Sequence, residues 1–363
     1  MNSEPLLSVE NLTTHFLTNE GSVRAVDSVS FDVAHGETVC VVGESGSGKT
    51  VTGESITKIL QMPPGDIVAG TVTFDGMNLT EMSDTDLERI RGNRISHIFQ
   101  NPQAGLNPVY TVGTQIGEAI RLHEDVSGDE CRRRVIKLLD QVGIPDAAMR
   151  VDDYPHEFSG GMKQRVLIAM ALSCNPDLLI ADEPTTALDV SVEAQILELL
   201  SKLQDEFDMS VIFITHDLGV VAEIADRVVV MYAGKVMETA DVFELFEDPA
   251  HPYTHALLSC LPGRGGEMRT IGGSLPDPVD PPNGCRFHPR CPHAIEDCTV
   301  GDQPDLHVVT DSDIHLTSCV YYGPEHDADE LDRARESVAV QGTRDEGGTQ
   351  ASPDDSLDGG EAQ

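Results

Sequence analysis

The chain has 363 residues, with 62 acidic against 24 basic side chains and a formal net charge of −38. A surface this negative repels nucleic acid and anionic lipid, and nucleic acid is not expected as a partner. No apolar run reaches the length of a membrane span and no basic-then-apolar signal segment opens the chain, so a cytosolic location is expected.

In chain order, residues 6–33 carry two strand-like stretches, LLSVENLTTHF and VRAVDSVSFDV, broken at Asn19-Glu20-Gly21. They read as an antiparallel β element. Phe16 within it is either a core side chain or an aromatic on which a base stacks. Glu37 to Val42 follows as a short buried strand, and Val51 to Leu60 reads as a helix. Between them stands Gly43-Glu44-Ser45-Gly46-Ser47-Gly48-Lys49-Thr50, a full G-x-x-x-x-G-K-[ST] phosphate-binding loop. In that context the glycines let backbone N–H groups wrap a phosphate chain at a helix N-terminus. Lys49 is expected to reach the β- and γ-phosphates of a bound nucleotide, and Thr50 to hold Mg²⁺.

Residues 71–100 read as two strands around a polar, helix-prone stretch, the second ending at Gln100. Residues 101–172 change character. Pro102, Gly105 and Pro108 open a loop, and Val112–His123 and Glu130–Val142 are helical by period. This stretch reads as a helical subdomain inserted in an α/β core. Ser159-Gly160-Gly161, before MKQRVLIAMAL, is an N-cap with close backbone approach. It is a second helix end offering N–H groups to an anion; read alone, it is simply a capped helix.

Leu178 to Ala181 is an apolar run ending in Asp182-Glu183. An acid at the edge of a buried strand is placed to bind the Mg²⁺ at Thr50, and Glu183 to polarise a water. A helix from about Val190 to Phe207, a strand Ser210–Thr215 ending at His216-Asp217, a helix LGVVAEIA and a strand RVVVMYAG follow. Strands alternating with helices argue a parallel, doubly wound core with ligands at the strand C-terminal ends.

From about Asp248 proline and glycine become frequent. Cys40, Cys131, Cys174 and Cys260 are scattered and read as small core residues, whereas Cys285, Cys291, Cys298 and Cys319 cluster as C-x5-C-x6-C-x20-C. A cytosolic chain favours metal over disulfides there, but this spacing does not choose the metal. Residues 324–363 carry 12 acids and 3 bases and are expected to be disordered. Most of the negative charge therefore falls outside that tail. Such a surface suits a cytosol of molar salt, where self-repulsion is screened to a few ångströms.

As a set, these motifs resemble the ATP-binding-cassette (ABC) ATPases over roughly residues 6–245. In that likeness Gly43 to Thr50 is the Walker A loop, Gln100 the Q-loop glutamine, and Ser159-Gly160-Gly161 part of the signature sequence. Leu178 to Asp182 is Walker B, Glu183 its catalytic glutamate, Ala187-Leu188-Asp189 the D-loop, His216 the switch histidine, and Phe16 the adenine-stacking aromatic. Met162 departs from the glutamine usual after the two glycines. HPYTHALLSCLP (His251 to Pro262), GSLPDP (Gly273 to Pro278) and the four cysteines are similar to the ATPase subunits of oligopeptide/dipeptide importers, and nickel importers share parts of them. This likeness extends to about residue 323.

The resemblance implies an α/β fold, an ABC-type P-loop NTPase with a mixed sheet core, over residues 1–247. It places the helical subdomain at about 101–172, a small Cys-rich C-terminal domain at 248–323, and the tail at 324–363. It implies ATP and Mg²⁺, the latter at Thr50, Asp182 and Gln100. In some members the four cysteines hold a [4Fe–4S] cluster; zinc, with His288 and His293 as alternative ligands, and no metal at all are the other readings. The implied partners are a related ATPase subunit (in a heterodimer, or a second copy in a homodimer), two transmembrane permease subunits and an extracellular solute-binding protein, with the chain peripheral on the cytoplasmic face of the membrane. ATP would lie between the Walker A loop of one subunit and the signature residues of its partner, with Glu183 activating water, His216 positioning it, and Asp189 near the junction. A soluble ABC ATPase acting on DNA or ribosomes is the rival reading. The single cassette, the lack of sustained heptads and the negative surface oppose it. Intact Lys49, Asp182, Glu183 and His216 oppose an inactive scaffold.

Overall fold

The structure is a computed structural model that describes residues 4–100, 105–186, 188–261, 271–310, 314–333 and 335. Pro102, Ala187, Pro262 and residues 336–363 of the tail, on which expectations were placed, lie outside them.

Two sheets carry the fold. The first is antiparallel, in the order Gly21–Val33, Leu7–Thr18, Gly65–Phe74, Met77–Asn78. The second has a parallel centre in the order Arg227–Tyr232, Thr38–Val42, Ser210–Thr215, Leu178–Asp182, Ile95–Ile98. Its inner strands are covered on both faces, which is why they read as unbroken apolar runs. The two-residue alternation sorts their side chains. Val39, Val41, Ile212 and Ile214 pack toward the antiparallel sheet with Val26 and Val29. Cys40, Val42 and Phe213 pack to the other side, against Leu197 and Val220 of the flanking helices.

The helical subdomain is present as Val112–His123, Gly128–Gln141 and Gly160–Ala171. Thr111, Ser127 and Ser159 cap these helices by accepting from Thr114 N, Glu130 N and Met162 N. The helix after the phosphate loop is shorter than its sequence suggests, Lys49–Ile56. The helix ends where Lys58 turns left-handed (φ 51°) and Ile59 N donates back to Glu54 O (3.0 Å), and Arg91 satisfies carbonyls left open there, its Nε donating to Thr57 O (2.7 Å) and its Nη2 to Lys58 O (2.9 Å).

The C-terminal region is joined to this core. Leu316–Thr317 joins the edge strand Lys235–Asp241, and His307–Val308 extends the sheet by one more strand. Glu238 on that edge strand is fully buried, accepts from Ala250 N and His251 N at 2.8 Å each, and lies 2.9 Å from His315 Nε2. A buried carboxylate is tolerable only with such partners. Tyr253, Phe287, Cys285 and Cys298 share one apolar cluster with Val42 and Tyr232. The tail expectation also needs correction at its start. Residues 328–333 are helical, Leu331 is buried with Cys319 and Tyr321, and Arg335 Nη2 donates to Ala250 O at 3.0 Å. A lone leucine among acids is too weak a signal to mark this docking from composition.

Candidate nucleotide site

The strand Thr38–Val42 delivers the chain into the Gly43–Thr50 loop, whose bends demand glycine at two points. Gly43 has φ 152°, and a Cβ there would stand 2.1 Å from Met231 O. Gly48 has φ 101°, and its Cβ would meet Ala25 O at 2.3 Å. Ser47 N donates to Glu44 O (3.1 Å) and Gly234 N to Ser47 O (2.8 Å), closing the loop on itself and on the next strand. The loop faces a cavity of about 550 Å³ whose lining includes Ser45, Gly46, Gly48, Lys49 and Thr50 together with Gln100 and Glu183.

Lys49 is buried, and its Nζ donates to Gly43 O (2.7 Å) and Glu44 O (2.9 Å). Burial lowers its pKa, while Glu183, Asp182 and Glu44 work to retain the charge. Asp182 ends its strand buried; burial raises its pKa, and a hydrogen bond with the Thr50 side chain opposes the rise. Its Oδ1 is buried without a protein partner. An orphaned carboxylate oxygen beside a threonine hydroxyl fits a hard divalent cation, so these residues suit Mg²⁺.

Glu183 sits at φ 44°, its N donating to Ile214 O at 2.8 Å. This left-handed kink follows a buried strand and is a strained conformation for a non-glycine residue. The carboxylate gathers three neighbours. Gln100 Nε2 and Thr186 Oγ1 donate to Oε2 at 2.9 Å each, and His216 Nδ1 lies 2.9 Å from Oε1. Burial alone would raise its pKa, but the bonds from His216, Gln100 and Thr186 outweigh burial and hold the carboxyl below its ordinary value. An ionised carboxylate at the phosphate end of a cavity, held by an amide and an imidazole, can orient and deprotonate water. Lys49 and the loop N–H groups can neutralise a phosphate chain.

Comparison with known proteins decides the family. A model described as "ABC transporter" matches residues 26–186, and one described as "Oligopeptide/dipeptide transporter, C-terminal region" matches 237–298. The chain is 48% identical over 323 residues to the oligopeptide transport ATP-binding protein AppD of Bacillus subtilis, covering 88% of this chain and 98% of that protein. It is 49% identical over 319 residues to the dipeptide transport ATP-binding protein DppD of the same organism, covering 87% and 94%. The chain belongs to the ABC ATPases, in the oligopeptide/dipeptide-transport family. Among solved structures, the cassette MJ0796 in a dimeric post-hydrolysis state with ADP and Pi matches with a TM-score of 0.58 at 28% identity, over 65% of this chain and 98% of that one. The cbiO1 protein of Clostridium perfringens matches with a TM-score of 0.57 at 28% identity, over 68% and 92%.

This ABC ATPase gathers some of the expected site residues and leaves others apart. Five residues of the Walker A loop, Gln100 and Glu183 line one cavity; Asp182 joins them through Thr50, and His216, which lines a neighbouring cavity, through Glu183. Ser159, Gly160, Gly161 and Asp189 are not in the cavity lining. Ser159 and Gly160 are exposed at the start of their helix, and Asp189 is exposed at the head of Val190–Phe207. Phe16 is half-buried beside Gly65 and does not line the cavity, although its cross-strand partner Val23 does. Sequence reasoning missed Thr186, three residues past Glu183, and the grip of the C-terminal region on the loop. The HPY motif now has a physical role in that grip: His251 Nδ1 caps a helix by accepting from Tyr253 N (3.0 Å), Pro252 pre-sets its first turn, and Tyr253 Oη accepts from Glu44 N at 3.0 Å.

Cys285, Cys291, Cys298 and Cys319 are free and in one another's electrostatic range. Burial raises their pKa values, to about 12 for Cys291 and Cys319 and about 11 for Cys285, and the neighbouring thiols add to the rise. Among the described residues no group of three or more His, Cys, Asp or Glu side chains stands in metal-holding geometry. His288 Nδ1 lies 2.9 Å from Cys285 O, and His293 Nδ1 is buried without a partner.

Proposed function

We propose that this ATPase energises an importer of di- or oligopeptides. The support is the near full-length likeness to AppD and DppD, which spans both the cassette and the C-terminal region. In the proposed mechanism Lys49 and the loop N–H groups bind the phosphates, and Thr50 and Asp182 hold Mg²⁺. When bound, such a cation would supply charge neutralisation to the phosphates. Glu183 takes a proton from the attacking water, with His216 and Gln100 fixing that water's position. Exposed Ser159 and Gly160, outside this chain's own cavity lining, support a site completed by a second ATPase subunit. Among the described residues no helix is long and apolar enough to cross a membrane, so permease subunits would carry the solute and hold this chain at the cytoplasmic face. The test is a pull-down of tagged protein from its native membranes in detergent at high salt. Two multi-span proteins, a related ATPase and a peptide-binding protein are expected. A binding protein for nickel or another solute would change the substrate, and ribosomal or DNA-repair partners would overturn transport.

We also propose that the four clustered cysteines hold a [4Fe–4S] cluster with a structural role. The support is the donor type: four free cysteines whose thiols act on one another electrostatically, although no three of them stand in metal-holding geometry among the described residues. Anaerobically purified protein should contain iron and acid-labile sulfide and absorb visible light; zinc alone, or no metal, would refute this. Finally, the charge of −38 supports a protein made for concentrated salt. Its melting temperature should rise between dilute buffer and molar KCl, and a flat or falling response would count against that.

A further inference from the structure

The phosphate loop is gripped from a distant part of the chain. Arg290 Nη1 lies 3.1 Å from both carboxylate oxygens of Glu44, inside the loop, and 3.2 Å from Tyr232 Oη. The same guanidinium donates from Nε to Gly272 O (2.8 Å) and from Nη2 to Ile271 O (3.1 Å). Its side chain is only 5% exposed, so it acts as a fixed strut. Six residues on, the chain is pegged again, where Arg24 N donates to Pro278 O at 2.9 Å. Residues 271–278 are thus stretched along the nucleotide cavity. Leu275, Pro276, Asp277 and Pro278 form part of its wall, and Leu275 Cδ1 lies 3.5 Å from where a Cβ of Gly46 would be.

The strand order says which end of the cavity this strap covers. Glu183 and Gln100 follow strands on one side of the central Thr38–Val42 strand. Gly234 follows Arg227–Tyr232, on the opposite side, and lies against Arg24 and Ala25. Pro278 pegs the strap to Arg24 at the end away from Glu183, whereas its first residue, Ile271, lines a neighbouring cavity with Glu44 and His216; the part beside Arg24 is Leu275 to Pro278. With the γ-phosphate at Glu183 and the phosphate chain on the loop, the nucleoside end of the nucleotide falls beside the strap.

We propose that residues 275–278 form the wall against which the nucleoside of ATP binds, with Leu275 and Pro276 supplying apolar contact, and that Arg290, which holds Ile271 and Gly272 just upstream, is a positioning residue tying this wall to the phosphate loop through Glu44. An apolar wall has nothing to offer a bare phosphate chain, whereas the strut serves both parts of the ligand. The two roles therefore separate in calorimetric titrations of the full chain with ATP and with inorganic tripolyphosphate. Leu275→Ala should weaken ATP about tenfold, which corresponds to about 1.4 kcal/mol, and leave tripolyphosphate unchanged. Leu275→Met, which restores the contact, should restore ATP affinity. Arg290→Met should weaken both ligands. Leu275 is half-buried, and the far-UV spectrum of Leu275→Ala should match the wild type. Unchanged ATP affinity in Leu275→Ala, or an equal loss for both ligands, would overturn the wall. Wild-type affinity for tripolyphosphate in Arg290→Met would overturn the strut. Loss of both ligands in Lys49→Ala checks the phosphate site independently of either.

Discussion

Glu183→Gln is expected to lower steady-state ATP hydrolysis by about 10³-fold, the scale of losing a general base, while ATP affinity stays within about twofold of wild type. The substitution keeps size and shape, so Gln100, Thr186 and His216 retain a neighbour where Glu183 now stands. What disappears is the negative charge. The three hydrogen bonds hold the native carboxyl below its ordinary pKa against the effect of burial, so it is ionised at neutral pH and ready to accept a proton. The amide offers no such basicity. Phosphate release and equilibrium ATP binding, measured on one preparation, separate the two effects. Substantial turnover in the mutant would remove Glu183 from the role of base and shift attention to His216.

Lys49→Ala is expected to weaken ATP binding by about 100-fold, the scale of losing a strong charge-assisted hydrogen bond. In the ligand-free chain the ammonium is stored against Gly43 O and Glu44 O, near Glu183, Asp182 and Glu44. Those acids repel a polyphosphate once the lysine is gone. The loop itself should survive, because its shape rests on Gly43, Gly48 and the backbone bonds of Ser47 and Gly234. Unchanged affinity in a folded mutant would contradict the placement of the phosphates on this loop.

Much of this was legible in the sequence because the informative features are local. The phosphate loop announces itself through residue types whose φ values and close contacts the fold requires. The parallel strands are short apolar runs because both faces are covered. The helix Val190–Phe207 is read from its period to the residue. What escaped depends on contacts between residues far apart in the chain. Arg91 caps the end of the first helix from 33 and 34 residues away, and Arg290 reaches Glu44 across 246. A change of composition near Asp248 suggested a domain boundary, yet Glu238 with Ala250, His251 and His315 binds both sides of it together. Phe16, which the resemblance assigns to adenine stacking, is half-buried, and its strand partner Val23 lines the cavity.

The most direct test of transport is ATP hydrolysis by the complete membrane complex, with and without its solute-binding protein and peptide. Hydrolysis should rise when the peptide-loaded binding protein is added, and the rise should vanish with Glu183→Gln. A rate indifferent to peptide, or a full rate from this chain alone, would contradict the assignment to peptide import.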